Sequence, residues 1–351
     1  MIVWLDELTP GQDPLPNAPA ESAVRSTRRR LVCLFGALAA VCVLASAKAD
    51  AGEARRPYRV GVLNEAWAAN HPTVEGLKAG LKGLGLEEGR DVTFDIDFTK
   101  GDPSAMKAAA AGLAKAQIDL LFTSNEAATQ AAKDASQTVP IVFTLVGDPV
   151  AAGIVRQLAH PGGNITGVSS LTTELVPKRI ETLQKLVPAV RRVWAIYDAG
   201  DPSSVAAARK AQEAGPRLRL GVVDRPVRAP EELERALKEL RPGDALVSPD
   251  IATMDIPAVI LEASLAARIP AVFPAALWVG QGGLVSYGPD YYAQGVQAAR
   301  LVAKILRGAR PQDLPVEGAD KIDLAVNLKT ANLLGLSVPR KVLLRADRLQ
   351  R

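Results

Sequence analysis

Polar and aromatic side chains follow the apolar runs of this sequence, at places where a small ligand could be held. Asn64, Glu65 and Trp67 come after one such run, and Ser124 and Asn125 come after another. The other residues in this kind of position are Thr144, Asp148, Ser169, Tyr197, Asp198, Asp250, Trp278 and Tyr287. Small polar groups around aromatic rings suit a ligand that has a carboxylate or an amine and an apolar part. We therefore predict this set as ligand-binding, with a solvated turn or a helix cap as the alternative for each residue taken alone.

Chemistry beyond binding finds little support in the sequence. The only histidines are His71 and His160, and no nucleophile elbow, zinc-protease helix, Walker loop or dinucleotide fingerprint occurs. Both cysteines, Cys33 and Cys42, lie in an N-terminal apolar segment, so the chain after it has no thiol for a disulfide, a zinc site or a nucleophile. The net charge of +4 and the scattered basic residues argue against a nucleic-acid partner. We predict no catalytic residue, no metal site and no cofactor.

Two segments, 118–143 and 243–273, carry the same pattern and predict two related lobes. Each has an apolar run after an Asp, a Ser-containing turn, a helical stretch of small residues, and a Pro before a second apolar run. This pattern is typical of strand–helix–strand units, and its alternation along the chain predicts an α/β fold with parallel, doubly wound sheets. Ligands bind beyond the carboxyl ends of strands in such sheets, so we expect a cleft between the lobes.

The periodicity of apolar residues also predicts individual elements. Strands are expected at 59–63, 91–98, 118–123, 141–145, 165–169, 192–197, 219–223, 245–248, 271–273, 284–287 and 322–326. Helices are expected at 73–84, 104–116, 125–136, 150–159, 173–186, 203–213, 231–240, 256–267, 291–306 and 327–335. Short crossing strands are expected to join the lobes.

The N-terminal region has the features of an export signal. A cluster of arginines at 25–30 precedes the apolar segment 31–45, and two A-x-A cleavage sites follow at 45–47 and 47–49. The apolar segment is shorter than the roughly 20 residues that span a bilayer. We therefore interpret 1–49 as an N-terminal extension with a cleavable signal peptide, and we expect the protein to reach the periplasm.

Three segments resemble the ABC-transporter substrate-binding proteins of the tryptophan/tyrosine-type family. They read PIVFTLVGDPV and GIVRQLAHPGGNITGV within 140–168, SYGPDYY at 286–292, and NLKTANLLGLSVP at 327–339, with RAD following at 345–347. The similarity runs from about 58 to 348, nearly all of the chain after the signal. The resemblance implies a type I periplasmic-binding fold, in which two lobes joined by hinge strands close on a ligand.

The resemblance also implies lobe boundaries and site residues. We expect the N-terminal lobe to comprise 57–169 and 288–315, and the C-terminal lobe to comprise 170–287 and 316–351. The family's ligand positions match Ser124, Asn125, Thr144 and Asp148 in the first lobe, and lie near Tyr197, Asp250 and Tyr287 in the second. Three segments depart from the family's pattern, namely Ser124-Asn125-Glu126, Asp198-Ala-Gly-Asp201 and Asp250-Ile251.

Taken together, these features predict a periplasmic solute receptor. It would capture an amino acid or a related carboxylate by hinge closure and deliver it, as a monomer, to an ABC permease in the inner membrane. Two alternatives stay open. One is a sensory receptor that passes closure to a signalling partner, and the other is an exported enzyme with Glu65, Asp148 or Asp250 as acid or base.

Overall fold

The computed structural model describes residues 56–64, 71–100, 102–249 and 256–351. The predicted signal region 1–49 and the predicted ligand residues Glu65, Trp67 and Asp250 lie outside the described residues. Both sheets of the fold belong to one compact unit, Pro57–Arg351.

A six-stranded sheet, with the helices that cover it, forms the first lobe. Its strands are β1 (Tyr58–Asn64), β2 (Val92–Phe98), β3 (Leu120–Ser124), β4 (Ile141–Val146), β5 (Ile165–Ser169) and β11 (Glu317–Gly318). They are arranged in the order β11-β5-β4-β3-β1-β2, and every neighbouring pair is parallel. The carboxyl ends of all six strands therefore meet at one edge of the sheet.

A seven-stranded sheet forms the second lobe. Its strands are β6 (Arg192–Asp198), β7 (Gly221–Val227), β8 (Asp244–Val247), β9 (Ala271–Phe273), β10 (Val285–Pro289), β12 (Ile322–Asn327) and β13 (Arg348–Gln350). The order is β13-β12-β10-β9-β8-β6-β7. Only one of these pairs, β10 with β12, is antiparallel. The reversal arises because β10 leads out to the first lobe and β12 leads back. The two α/β sheets, in which every pair except β10 with β12 is parallel, confirm the predicted fold class.

Helices cover both sheets. They are α1 (Pro72–Gly83), α2 (Pro103–Lys115), α3 (Glu126–Ala135), α4 (Val176–Leu186), α5 (Pro202–Leu218), α6 (Pro230–Lys238), α7 (Ile256–Ala267), α8 (Ala276–Gly280), α9 (Tyr291–Leu306), α10 (Leu328–Leu333) and α11 (Arg340–Leu343), with a 3₁₀ turn at Pro311–Asp313. Side chains of Asp102, Asn125, Asp201 and Asp290 accept hydrogen bonds from backbone N–H groups in the first turns of α2, α3, α5 and α9. These caps explain why the four helices begin where they do.

The prediction of a helix at 150–159 is wrong. The chain makes turns there, in which Asp148 Oδ1 accepts hydrogen bonds from the N–H groups of Val150 and Ala151. Gly153 then adopts a φ of 67°, which interrupts any helix. The short elements α8, α11 and β13 were not predicted, because runs of three to five residues carry too little periodicity.

The core of the first lobe depends on a close approach of α1 and α9. Leucines of α1 and apolar residues of α9 pack together on one face of the sheet. A Cβ atom at Gly76 would lie 2.0 Å from the carbonyl oxygen of Tyr292, and one at Gly295 would lie 2.0 Å from that of Thr73. Only glycine fits at these two positions, so the two helix backbones touch directly.

Candidate ligand-binding cleft

A cavity of about 350 Å³ lies where the carboxyl ends of the two sheets face each other. One wall follows the strands of the first lobe, and the other follows β6 and β8 of the second. The first-lobe lining includes Asn125, Glu126, Gln130, Leu145 and Gly147, and the second-lobe lining includes Asp198, Asp201, Ser203, Ser204 and Pro249. The volume lies within the range of small-molecule sites, roughly 300–1,000 Å³.

Glu126 and Ser203 join the two walls. Glu126 is the first residue of α3, directly after β3, and Ser203 lies in the first turn of α5, after β6. Ser203 Oγ donates a hydrogen bond of 2.5 Å to Glu126 Oε2, although the two residues are 77 positions apart. A second contact accompanies it, because the carboxyl groups of Glu126 and Asp201 share a hydrogen bond. The lobes are therefore in direct polar contact across the cavity.

The carboxyl groups of this contact hold protons unusually tightly. Burial, followed by the charge of Asp201, raises the pKa of Glu126 from 4.5 to about 7. Burial also raises the pKa of Asp201, and it raises the pKa of Glu174, which feels the charge of Asp148 as well. The hydrogen bond between Glu126 and Asp201 favours protonation of Glu126 and ionisation of Asp201, so Glu126 is the donor. Glu126 therefore keeps its proton to a higher pH than an ordinary glutamate does.

Arg179 contributes a positive charge to the lining of the cavity. Its side chain is 1% exposed, which makes it one of the most deeply buried charged groups among the described residues. Arg179 Nε donates a hydrogen bond of 2.9 Å to the carbonyl oxygen of Tyr287 on β10. This bond connects the cavity wall to the strand that leads into the crossing between the lobes.

Strained backbone is concentrated where the first-lobe strands end. Asn125 has φ 85° and ψ 173°, a region that is almost restricted to glycine. Leu145 and Leu171 have φ values of 57° and 55°. Each such conformation costs about 1–3 kcal/mol and persists only where the surroundings enforce it. Asn125 and Leu145 both line the cavity, so the strain lies at its wall.

Of the predicted ligand residues that the structure describes, Asn125 and Asp198 line the cavity. Asn125 Oδ1 accepts a hydrogen bond from Ala128 N at 2.9 Å, and its own N–H donates to the carbonyl of Thr144. Asp198 Oδ1 accepts a hydrogen bond from Gly200 N at 2.7 Å. Both residues thus shape the loops that carry the cavity wall.

Asn64, Ser124 and Thr144 form a row beside the cavity without lining it. They are register partners on the neighbouring strands β1, β3 and β4, and all three are buried. Thr144 Oγ1 donates to the carbonyl of Thr123, whereas Ser124 Oγ has no hydrogen-bond partner within the described ranges. Ser169 Oγ is within hydrogen-bonding distance of the carbonyl oxygens of Val146 and Gly147 at the end of β4. Asp148 caps the turn that follows β4.

Three predicted aromatic residues lie elsewhere in the second lobe. The hydroxyl group of Tyr197 donates to Asp224 at 3.4 Å, and the ring of Trp278 stacks on Phe273 with centroids 6.2 Å apart. Tyr287 lines a separate groove on the side of α4 and the C-terminal segment. The structure does not bring these rings to the cavity.

Comparison with known proteins gives these features a context. Residues 66–350 match the family model described as ABC transporter substrate binding protein. The chain belongs to this family. The family that the sequence motifs predict is therefore confirmed. Substrate-binding proteins of this kind bind solutes and are not enzymes.

Individual proteins and solved structures are similar to this chain over most of its length. This substrate-binding protein is 25% identical over 278 residues to the Tyrosine-binding protein of Clostridioides difficile (strain R20291), an alignment that covers 76% of this chain and 78% of that protein. A conserved domain protein from Vibrio cholerae has 30% identity and a TM-score of 0.77, over 84% of this chain and 100% of the other. An ABC domain from Streptococcus pneumoniae in complex with L-Trp has 24% identity and a TM-score of 0.75, with the same coverage.

Sequence reasoning missed most residues that line the cleft in this substrate-binding protein, among them Glu126, Asp201, Ser203 and Arg179. A signal for two of them was present, because Glu126 and Asp201 end two of the segments that depart from the family's pattern. The described ranges contain no cluster of three or more His, Cys, Asp or Glu side chains that could hold a metal ion. Among the same residues, no helix has both the length and the apolar character needed to cross a membrane.

Proposed function

We propose that this chain is the extracytoplasmic solute-binding component of an ABC importer and that it captures an amino acid or a related carboxylate in the interlobe cleft. The observation that carries the proposal is the cavity itself, because its walls come from the carboxyl ends of both sheets. Ligands of open α/β sheets bind at this edge. Tyrosine is the first candidate, since the curated relative is a tyrosine-binding protein.

The lining offers partners for both charged groups of an amino acid. Asp198 and the Glu126–Asp201 pair suit an ammonium group. Arg179 and residues at the N-terminal end of α3 also line the cavity, and a guanidinium group and helix N–H groups both favour a carboxylate. A zwitterion can therefore be held between the lobes with each charge opposed.

Binding would act through closure of the lobes. A ligand that touches both walls stabilises the closed arrangement more than an open one, and so it shifts the equilibrium between them. The predicted export signal in 1–49 would bring the protein to the periplasm, where the closed form would meet a permease in the inner membrane. We propose that the receptor acts as a monomer.

Thermal unfolding and titration calorimetry with tyrosine, tryptophan and a panel of other amino acids test the proposal. A ligand at 1,000 times its Kd should stabilise the protein by about 4 kcal/mol, which raises Tm by several degrees. Asp198→Asn should weaken binding about tenfold, which corresponds to about 1.4 kcal/mol. Asp97→Asn, at an exposed position of β2, is the matched control and should leave the affinity unchanged. If no amino acid and no related carboxylate, such as an aromatic 2-oxo acid, stabilises the protein, the proposal is overturned.

A further inference from the structure

A second concave site lies on the second lobe, away from the cleft. It has a volume of about 410 Å³, and we call it the α4–tail groove because α4 and the C-terminal segment 339–347 form its walls. None of the residues that line it lines the cleft. Its size is sufficient for a small organic molecule.

The floor of the groove is apolar. Tyr287 on β10 and Leu324 on β12 are register partners in the antiparallel pair, so their side chains lie next to each other on one face of the sheet. Val342 of α11 belongs to the same core cluster and is 6% exposed. Tyr287 is only half-buried, which leaves part of its ring accessible from the groove. Apolar surface of this kind favours contact with an apolar body over contact with water.

The rim of the groove is cationic on both sides. Lys178 and Lys185 of α4 line one wall, and both form ion pairs with Glu181. Lys341 and Arg345 line the opposite wall, both are exposed, and neither has an ion pair within the described part of the chain.

Carboxylates do not balance this charge. Asp347 is the only carboxylate among the residues that line the groove within the described ranges, and its Oδ2 is engaged by the N–H of Leu324 at 2.8 Å. Among the described residues that line the groove, four cations stand against one carboxylate, and Glu181 on α4 pairs with two of the four. The rim has an excess of positive charge directly beside an apolar floor.

We propose that the α4–tail groove binds a small amphipathic organic anion. Its apolar body lies on Tyr287 and Leu324, and its anionic group lies between Lys341 and Arg345. An uncharged apolar molecule would leave the two cations without a partner, and a bare anion would leave the floor exposed to water. The combination of both groups is what the surface complements.

The test uses the fluorescent probe 8-anilinonaphthalene-1-sulfonate, which joins a fused aromatic body to a sulfonate. Titration of the purified protein should show saturable binding to one site. Lys341→Glu with Arg345→Glu should weaken this binding about tenfold or more, because two attractions become repulsions. Lys107→Glu with Lys115→Glu, on an exposed face of α2, reverses the same charge and should change the Kd less than about twofold. All four positions are exposed, so both double variants should fold, and circular dichroism checks this.

Competition then separates the parts of the proposal. Octanoate should displace the probe, whereas octanamide, which lacks the charge, and acetate, which lacks the apolar body, should not. Tyr287 is left unchanged because its side chain packs against the core of the second lobe, so its removal would also perturb folding. An amino acid that saturates the cleft should leave the probe bound, so the outcome is independent of the proposed transport function.

Three results would overturn the proposal. The first is the absence of saturable probe binding to the unmodified protein. The second is an equal loss of affinity in both double variants. The third is displacement of the probe by octanamide or by a cleft ligand, which would place the probe on a merely apolar surface or in the cleft.

Discussion

The hydroxyl group of Ser203 donates a hydrogen bond to the carboxylate of Glu126 and so connects the helix that follows β6 in one lobe with the helix that follows β3 in the other. Asp201, two residues before Ser203, shares a hydrogen bond with the same Glu126. The contact places two carboxyl groups and one hydroxyl group at the junction of the lobes. Its strength therefore depends on how many protons the pair holds.

Removal of the hydroxyl group should weaken the junction. We expect Ser203→Ala to lower the free energy of unfolding by about 1–2 kcal/mol, because the partner is a partly buried carboxyl group. The matched control is Ser104→Ala, at an exposed position in the first turn of α2. Denaturant unfolding measures both. If the two variants unfold alike, the interlobe hydrogen bond does not contribute to stability.

Glu126 should make the protein less stable as the pH rises from about 4.5 to about 7. Its pKa rises from the ordinary glutamate value of 4.5 to about 7 in the folded protein, so the folded state binds more protons in this window. Stability then falls with rising pH, by an amount on the order of 1–3 kcal/mol.

Glu126→Gln should flatten this part of the profile, because Gln resembles the protonated side chain and does not titrate. Unfolding free energies at half-unit pH intervals measure the slope. Glu234→Gln, at an exposed position of α6, serves as the control and should retain the unmodified protein's slope. A steep fall that persists in Glu126→Gln would assign the effect to another group.

His71 should make the protein less stable as the pH falls, which is the opposite of the pH dependence expected from Glu126. Burial lowers its pKa from 6.5 to about 4, and the neutral ring accepts a hydrogen bond from Thr73 N at the start of α1. The unfolded state therefore binds more protons between about pH 4 and 6.5, and stability is lost as the pH falls through this window.

His71→Asn keeps a side chain that can cap the helix but removes the titration. We expect it to reduce the loss of stability between about pH 6.5 and 4.5, as measured by denaturant unfolding at both pH values. His160→Asn, on an exposed turn, is the control. An unchanged acid loss in His71→Asn would show that burial of His71 is not its cause.

The contact between α1 and α9 should not tolerate a side chain at its centre. Gly76→Ala should destabilise the protein by about 2–3 kcal/mol or prevent folding, because the new Cβ would meet the backbone of Tyr292. Gly112→Ala in α2 meets nothing within 4 Å and should be neutral, or stabilising by up to about 1 kcal/mol through helix propensity. Thermal unfolding of the two variants measures the difference. Equal Tm values would contradict the close helix contact.

Regular elements with clear periodicity could be predicted closely from the sequence. The helices at 256–267 and 291–306 and the strands at 165–169 and 271–273 have the predicted bounds. The turns at 148–154 could not be predicted. The apolar spacing there is helical, and Asp148 caps the first turn as it would cap a helix, but Gly153 takes a φ of 67° and the chain does not continue as a helix.

The candidate site was only partly predictable for a related reason. The position of Asn125 and Asp198 after strands was sufficient to propose them, since strand ends meet at one edge of a parallel sheet. The contact of Glu126 with Ser203 joins residues 77 positions apart, and it depends on how the lobes face each other. No pattern within either segment contains that information.

The direct contact between α1 and α9 has a consequence for the order in which the molecule is made. The strands β1 to β5 leave the ribosome, or cross a membrane, well before α9, yet the face of their sheet that α1 covers is completed only by α9. Until residue 306 has emerged, that lobe lacks part of its apolar cover and is open to aggregation. The second lobe is also interrupted, because β12 and β13 come last. Neither lobe can complete its fold before the last third of the chain has been synthesised.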